Sequence, residues 1–322
     1  MKTKGKLIIS LDFELMWGMA GHSMNYIKAY RPNIENAISA LKRILEILEE
    51  FHIKVTIAHV GSMCFSDLDE FRSFQKTIDK KPDYANRNYS AYQLCMNSEE
   101  QLLSPPISDL FFCRSFLHQL ANNSNVELAS HTFSHYYCLE KGQTVEQFNE
   151  DLALAEKMSL KKYTSIIFPR NQVSESYLSI CKQHGFTHYR SIMEDFVHKT
   201  EETKSHFSIK GALRLLDTYL PITGYKTFGQ SIDHNGIKEV PGSMFLRPWS
   251  KHLKMLEPLK LWRIKRSMAH AAKQGEVFHL WWHPHNFGAH TEENLMTLRL
   301  ICKHYEHLHN KYGMESIFMK EL

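Results

Sequence analysis

Short apolar runs alternate with amphipathic helical patterns along most of this 322-residue chain. The apolar runs predict strands at 6–11, 53–59, 126–130, 165–168, 186–190, 276–282 and 315–319. Residues with a 3.6-residue apolar period predict helices at 33–51, 108–122, 144–160, 174–184, 256–273 and 292–312. Because strands that alternate with helices pair in parallel, the sequence predicts an α/β protein whose parallel sheet is closed or nearly closed.

Two stretches, about 61–106 and about 195–242, do not fit this alternation. Loops of this length usually cover a site or bind a ligand. We therefore expect them to be substrate-capping insertions at one rim of the sheet. A length of 322 residues is ordinary for one barrel-sized domain, so a single domain over residues 1–322 is predicted.

Composition narrows the class of protein. With 43% hydrophobic and 23% charged residues, the chain resembles ordinary soluble globular proteins. The net charge of +4 and the absence of a basic run give no reason to expect a nucleic-acid partner. No apolar run reaches the 18 residues of a membrane span, and six scattered cysteines suit a reducing compartment. A cytoplasmic location is therefore predicted, while the oligomeric state stays open.

Two histidines and an acidic pair follow predicted strands. His131 and His135 come after strand 126–130, and Asp12 and Glu14 end strand 6–11. Side chains four residues apart share one face if the chain turns helical there, which would make the histidines a pair of nitrogen ligands. Two histidines and a carboxylate are a common ligand set for a catalytic metal with an open position for water.

Two later segments add polar groups at strand ends. Pro169, Arg170 and Asn171 follow the apolar run 165–168, and Arg170 then lies where the site residues of barrels usually lie. The segment 277–287 ends a strand in two tryptophans and a His-Pro-His sequence. These aromatic residues suit either a sugar-stacking wall with an acid or base beside it, or a packed core beside a structural histidine.

Together these four segments resemble the polysaccharide deacetylases of the NodB-homology type, carbohydrate esterase family 4. That family has an acidic first motif, a His-x3-His motif, a motif with arginine and proline, and a final motif that ends a strand in a histidine. The order is the same here. Asp12-Phe13-Glu14 resembles the branch with an Asp-x-Glu first motif rather than two adjacent aspartates. The resemblance implies a distorted (β/α) barrel of seven or eight strands.

The resemblance also implies roles for single residues. Asp12 would be the catalytic base, Arg170 would orient it, and His283 would be the general acid, with His285 as a competing candidate. Glu14, His131 and His135 would bind a divalent metal ion, expected to be Zn²⁺, with Asp12 as the alternative carboxylate ligand. The expected substrate contacts are Trp281, Pro169, Asn171, His285 and Trp249.

The function that follows is hydrolysis of an N-acetyl group from an amino sugar, in a glycan or a glycan precursor. The expected partner is therefore an N-acetylated carbohydrate. Two alternatives stay open: a hydrolase of a small linear amide, and a non-catalytic relative that binds a glycan or a metal. Of these, the non-catalytic relative is disfavoured because candidates for base, ligands, arginine and acid are all present.

Overall fold

The computed structural model describes residues 3–98, 107–193 and 215–322. Residues 99–106 and 195–214 of the two predicted insertions therefore lie outside the described residues. Within the described ranges, none of the helices combines the length and the apolar character needed to cross a bilayer.

Ten strands of the described ranges form one sheet. They are β1 Lys6–Phe13, β2 Val55–His59, β3 Val126–Ser130, β4 Ser165–Ile167, β5 His188–Ile192, β6 Ile232–His234, β7 Ile237–Gly242, β8 Met244–Phe245, β9 Val277–Trp282 and β10 Glu315–Ser316. The pairing order is β6-β7-β5-β4-β3-β2-β1-β9-β8, and β10 pairs with β1 in addition. The β6–β7 pair is antiparallel and the other pairs are parallel.

Ten α-helices lie entirely within the described ranges. They are α1 Met24–Glu35, α2 Ala37–Glu50, α3 Leu68–Gln75, α4 Ala91–Met96, α5 Ser108–Phe111, α6 Arg114–Asn122, α7 Val145–Lys157, α8 Glu175–Gln183, α9 Glu257–Gln274 and α10 Thr291–Tyr312. A mixed α/β fold with a parallel sheet is therefore confirmed.

Closure of the sheet into a barrel is not detected among the described strands, since β6 and β8 stand at the two ends of the pairing order. One residue, Ser243, separates β7, which pairs with β5, from β8, which pairs with β9. The backbone N–H of Ser243 donates to the carbonyl oxygen of His279 at 2.9 Å. A single residue thus connects the strand that pairs with β5 to the strand that pairs with β9.

The two faces of strand β1 differ, since one is apolar and the other becomes polar toward the carboxyl end of the strand. Its side chains alternate, so Leu7, Ile9 and Leu11 join the large core, while Ile8 belongs to a smaller cluster of buried residues. That smaller cluster contains Ile8, Ala58, Ala129, Ile167, Val240, Val277, Ile317 and Met319. Ser10 and Asp12 follow Ile8 on the same face, so the polar groups start where this cluster ends.

Several predicted boundaries need correction. The predicted helix at 33–51 is two helices, α1 and α2, which meet at Asn36, whose side-chain amide donates to the carbonyl oxygen of Gly288 at 3.0 Å. The stretch 195–242, predicted as an insertion without strands, contains β6 and β7 in its described part. Neither shows a clear apolar alternation, since the residues of β6 are exposed or half-buried and the buried residues of β7 do not fall at every second position.

Candidate metal and catalytic site

The carboxyl ends of four strands bring the polar residues together. Asp12 lies on β1, and Glu14 follows the last residue of that strand. The segment 131–135 follows β3, Arg190 lies on β5, and His283 follows β9. Parallel strands present their carboxyl ends at the same edge of a sheet, and open α/β sheets bind their ligands there.

Three buried side chains form a group that could hold a metal ion. Ligand atoms of Glu14, His131 and His135 all lie within 4.8 Å of one another. Oε2 of Glu14 is 2.9 Å from Nε2 of His135 and 3.3 Å from Nε2 of His131. The side chain of Glu14 is only 7% exposed. A carboxylate with two imidazoles suits a divalent ion that keeps a further position open.

The hydrogen bonds of His131 fit a bound cation. Its Nδ1 lies 2.8 Å from the carbonyl oxygen of Ile167, which can only accept, so Nδ1 carries the hydrogen. In the neutral ring Nε2 then presents a lone pair, and this buried atom has no hydrogen-bond partner among the described residues. The nearby Oε2 of Glu14 is also a lone-pair donor to a metal. The space between these atoms therefore suits a positive ion, and the ring is oriented for it.

The two histidines reach Glu14 through a tight turn and not through a helix. Thr132 and His135 adopt positive φ angles of 64° and 58°, and no helix covers residues 131–135. The hydroxyl oxygen of Thr132 accepts from the backbone N–H of Tyr136 at 2.7 Å. The helical argument from the four-residue spacing is therefore wrong, although the two side chains do meet at one carboxylate.

Asp12 forms a buried ion pair with Arg190. Nη1 and Nη2 of Arg190 lie 2.6 Å from Oδ1 and Oδ2 of Asp12, so both carboxylate oxygens accept hydrogen bonds. Burial alone would raise the pKa of Asp12, but the charge and hydrogen bonds of Arg190 outweigh burial and lower it. Asp12 is therefore held ionised in a fixed orientation.

The remaining donors of Arg190 are satisfied as well. Nε and Nη2 donate to Oδ1 of Asn171 at 3.2 and 2.9 Å, and Nη1 donates to the hydroxyl oxygen of Ser10 at 3.1 Å. With the two bonds to Asp12, these interactions use all five N–H groups of a guanidinium. The group also lies 4.2 Å from the ring centre of Trp281. Arg190 is thus fixed from every direction in which it can donate.

A buried histidine orients Ser10. Burial lowers the pKa of His279 to about 3, so its ring is neutral at neutral pH. Its Nδ1 lies 3.1 Å from the carbonyl oxygen of Pro241, which accepts, so Nε2 must accept from the Ser10 hydroxyl at 2.7 Å. That direction leaves the oxygen of Ser10 free to accept from Arg190.

Arg170 is not the partner of Asp12, which corrects the sequence prediction. Its guanidinium lies 4.3 Å from the ring centre of Tyr137, and its Nη2 donates to the carbonyl oxygen of Ala20 at 3.1 Å. Arg190 reaches Asp12 from β5 and takes the role that was predicted for Arg170. The correct arginine also ends a predicted strand, but sequence alone did not single it out.

Two further histidines lie beside the carboxylates. Nε2 of His283 is 3.7 Å from both Oδ2 of Asp12 and Oε1 of Glu14, and its side chain is 23% exposed. Nε2 of His285 is 4.0 Å from Oε1 of Glu14, and burial lowers the pKa of this histidine to about 3. The edge of one ring meets the face of the other between His285 and Tyr30, whose centres are 5.5 Å apart. His283 therefore lies between the carboxylates and solvent, whereas His285 is buried and neutral.

An open cleft of about 330 Å³ exposes this group to solvent. Its wall contains Trp281, Asn171 and Arg170, as well as Phe245, which the sequence analysis missed. The lining comprises Asp12, Glu14, Gly18, Met19, His22, Tyr26, Tyr30, His131, His135, Arg170, Asn171, Phe245, Trp281, His283, His285 and Asn286.

Two predicted substrate contacts are absent from this lining. Pro169 is buried, and the ring of Trp249 packs on His290 with 4.7 Å between the ring centres. The end of a predicted strand at residue 190 could have indicated Arg190. Ser10 and His279 lie farther from the strand ends, inside the sheet, and no sequence pattern shows that they contact each other there.

Gly18 leaves room for the carboxylate of Glu14. It lies in a short 3-10 helix, Leu15–Met19, directly after Glu14. A Cβ atom at this position would come within 2.1 Å of Oε1 of Glu14. Any other residue at position 18 would therefore displace Glu14.

Comparisons with known proteins give the fold but not the family. No family model matches the sequence, and none of the curated proteins matches it. Among solved structures, a protein described as a polysaccharide deacetylase from Mycobacterium smegmatis aligns with a TM-score of 0.56 and 10% identity, over 99% of this chain and 89% of that chain. A GH57-type branching enzyme from Pyrococcus horikoshii aligns with a TM-score of 0.52 and 12% identity, over 98% of this chain and 70% of that one. Puue allantoinase aligns with a TM-score of 0.50 and 11% identity, over 98% and 88%.

These neighbours differ in their named activities, so the shared fold does not determine the reaction. The chemistry has to be argued from the site.

Proposed function

We propose that this chain is a metal-dependent hydrolase that removes an N-acetyl group from an amino sugar in a glycan or a glycan precursor. The observation that carries the proposal is the pairing of two groups in one cleft. Glu14, His131 and His135 form a ligand set for a divalent ion, and Asp12 stands beside them in a bidentate ion pair with Arg190. We take the ion to be Zn²⁺, because a set of two histidines and one carboxylate is typical of catalytic zinc.

The reaction joins a water oxygen to the acetyl carbon and breaks the bond between that carbon and the sugar nitrogen. A divalent ion bound by the triad would polarise the acetyl carbonyl and lower the pKa of a water molecule toward about 7. Asp12 would take the proton from the attacking water, and Arg190 would keep Asp12 ionised and aligned. His283 would give a proton to the departing nitrogen, since it lies 3.7 Å from Asp12 at the solvent side. The products are acetate and a free amine.

The cleft wall supports a sugar substrate. The cleft lining contains two aromatic pairs: Trp281 and Phe245 with ring centres 4.8 Å apart, and Tyr26 and Tyr30, which stack with centres 5.6 Å apart. Aromatic side chains suit the apolar faces and hydroxyl edges of a sugar ring. Arg170 and Asn171 would add polar contacts at the rim.

The proposal includes a domain that spans residues 1–322 as a distorted (β/α) barrel, closed where Ser243 joins β7 to β8. This geometry would place the cleft at the carboxyl ends of the strands, where barrel enzymes carry their active sites. The first motif, Asp12-Phe13-Glu14, would then belong to the Asp-x-Glu branch of the deacetylase family, with the second acid as the metal ligand.

A second candidate is hydrolysis of a small linear amide. Its support is the cleft volume of about 330 Å³, which is near the lower limit of ordinary ligand pockets and suits a small substrate. Both candidates use the same base, ligands and acid, so the size of the substrate separates them.

Acetate release tests the proposal directly. The protein, loaded with one equivalent of Zn²⁺, is incubated with N-acetylglucosamine oligomers, with nucleotide-linked N-acetyl sugars and with small linear amides such as acetamide. We expect acetate and a free amine from the sugars, and no reaction after chelation. Turnover of the linear amide alone would favour the second candidate, and binding of zinc without any turnover would favour a non-catalytic relative.

A further inference from the structure

The turn that carries both metal-ligand histidines has a costly backbone conformation. Thr132 and His135 both adopt left-handed φ angles, and neither is a glycine. Each such residue costs about 1–3 kcal/mol and persists only where the surrounding structure holds it in place. The turn therefore needs partners that fix its backbone, and those partners fix the positions of the two imidazoles.

One set of partners holds the carbonyl groups of the turn. The N–H of Gly61 donates to the carbonyl oxygen of Thr132, and the N–H of Ser62 donates to that of Phe133, both at 2.9 Å. The hydroxyl of Ser62 donates to the same carbonyl at 2.7 Å. These hydrogen bonds satisfy carbonyl groups of the turn. The N–H groups of the turn need acceptors from another element.

Asp151 holds the amide side. This aspartate lies on α7, is 2% exposed, and faces the turn. Its Oδ1 accepts from the N–H of Phe133 at 2.7 Å, and its Oδ2 accepts from the N–H of Ser134 at 3.1 Å and from the Ser134 hydroxyl. Three donors from the centre of the turn thus meet one buried carboxylate.

We infer that Asp151 is a positioning residue for the metal centre, which acts by holding the 131–135 turn so that both imidazoles face Glu14. The inference rests on the proposed metal site and extends it to a residue that touches neither the ion nor the substrate. A backbone N–H cannot reverse its direction, so only an acceptor can satisfy Phe133 and Ser134 together. A buried N–H without an acceptor costs about 1–3 kcal/mol. The turn would relax to avoid this cost, and the histidines would move with it.

The test is zinc affinity of the metal-free protein, measured by competition with a chromophoric chelator. Asp151→Asn keeps the size of the side chain but sets an NH₂ group against one of the two backbone N–H donors. We expect zinc affinity to fall by about 10- to 100-fold, the range found when supporting groups of metal ligands are removed. The visible absorption of bound Co²⁺, which reports ligand geometry, should change as well.

Glu127→Gln is the matched control. Glu127 is 3% exposed and also accepts three hydrogen bonds, from the hydroxyls of Thr56 and Ser165 at 2.7 and 2.6 Å and from the N–H of Lys320 at 3.4 Å. It therefore matches Asp151 in burial and in the carboxyl-to-amide change, but its partners lie away from the turn. We expect zinc affinity and the Co²⁺ spectrum of this variant to match those of the unaltered protein.

Each outcome has one meaning. If the unaltered protein binds no zinc, the proposed metal centre fails. If it binds zinc and Asp151→Asn binds equally tightly, only the role of Asp151 fails. An equal loss in Glu127→Gln would show a general effect of a buried amide and would also overturn the inference. Should Asp151→Asn not fold, Ser134→Ala, which removes one of the three donors, decides: a smaller loss of affinity supports the role, and unchanged affinity contradicts it.

Discussion

Removal of Arg190 should cost far more stability than removal of Arg170. Arg190→Met keeps most of the aliphatic stem but leaves the carboxylate of Asp12 buried without its cation. Removing one partner of a buried ion pair typically costs about 3–5 kcal/mol. Arg170→Met removes a hydrogen bond to Ala20, contacts with the Tyr137 and Tyr89 rings, and a partly exposed ion pair with Glu140, which together are worth about 2 kcal/mol. Arg170→Met is therefore the matched control.

The loss in Arg190→Met should depend on pH. In the unaltered protein the pKa of Asp12 lies below its value in the unfolded chain, so the pair stabilises above about pH 3.9 and this stabilisation is lost as pH falls through the folded pKa. Without Arg190, burial raises the pKa of Asp12, and the variant loses stability as pH rises from about 3.9 through the new value. The free energies of unfolding of the two proteins should therefore differ most near neutral pH and converge as pH falls toward about 3.9, the pKa of an unfolded aspartate.

Urea unfolding of the metal-free proteins, followed by tryptophan fluorescence across this pH range, measures both effects. The free energy of unfolding is compared at each pH among the unaltered protein, Arg190→Met and Arg170→Met. A pH-independent loss in Arg190→Met would mean that the ion pair is not its cause. An equal loss in Arg170→Met would refute the assignment of Arg190 as the partner of Asp12.

Three further changes test single residues of the site. Asp12→Asn should keep its zinc, measured by elemental analysis, while turnover falls by about 10²–10⁴-fold because the general base is lost; unchanged turnover would exclude that role. His283→Ala should abolish acetate release at fixed metal content and His285→Ala should reduce it less; the reverse order would make His285 the acid. Gly18→Ala should weaken zinc binding because its Cβ would overlap Glu14, and a chelator titration with unchanged affinity would contradict that close approach.

The sequence predicted the parts of the fold that depend on local pattern. Strand β3 occupies the predicted residues, and β9 differs from its prediction by one residue. Helix α10 begins one residue before its predicted start and ends where predicted. The apolar period and the length of a segment determine such elements, and both can be read from the sequence. In contrast, β6 and β7 went unrecognised, because β6 has no buried residue and the buried residues of β7 do not fall at every second position.

The error over Arg170 has a different origin. Sequence places Arg170 just after a strand in a recognisable motif, whereas the partner of Asp12 is decided by strand register. Ile167 on β4 pairs with Arg190 on β5, which puts Arg190 at the level of the site. It then reaches across the interior of the sheet to β1, a strand that does not pair with β5. Contacts between strands that are not neighbours follow from the curvature of the sheet, which no local pattern encodes.

The metal centre is the central claim, and a crystal soaked with Zn²⁺ tests it most directly. Data collected on both sides of the zinc absorption edge give the position of the ion. We expect one strong anomalous peak between Glu14, His131 and His135, with Nε2 of His131 about 2.0–2.1 Å from it. Asp12 should remain paired with Arg190 and stay outside the ligand set. A peak at another site, or histidines turned away from Glu14 in the soaked crystal, would contradict the account.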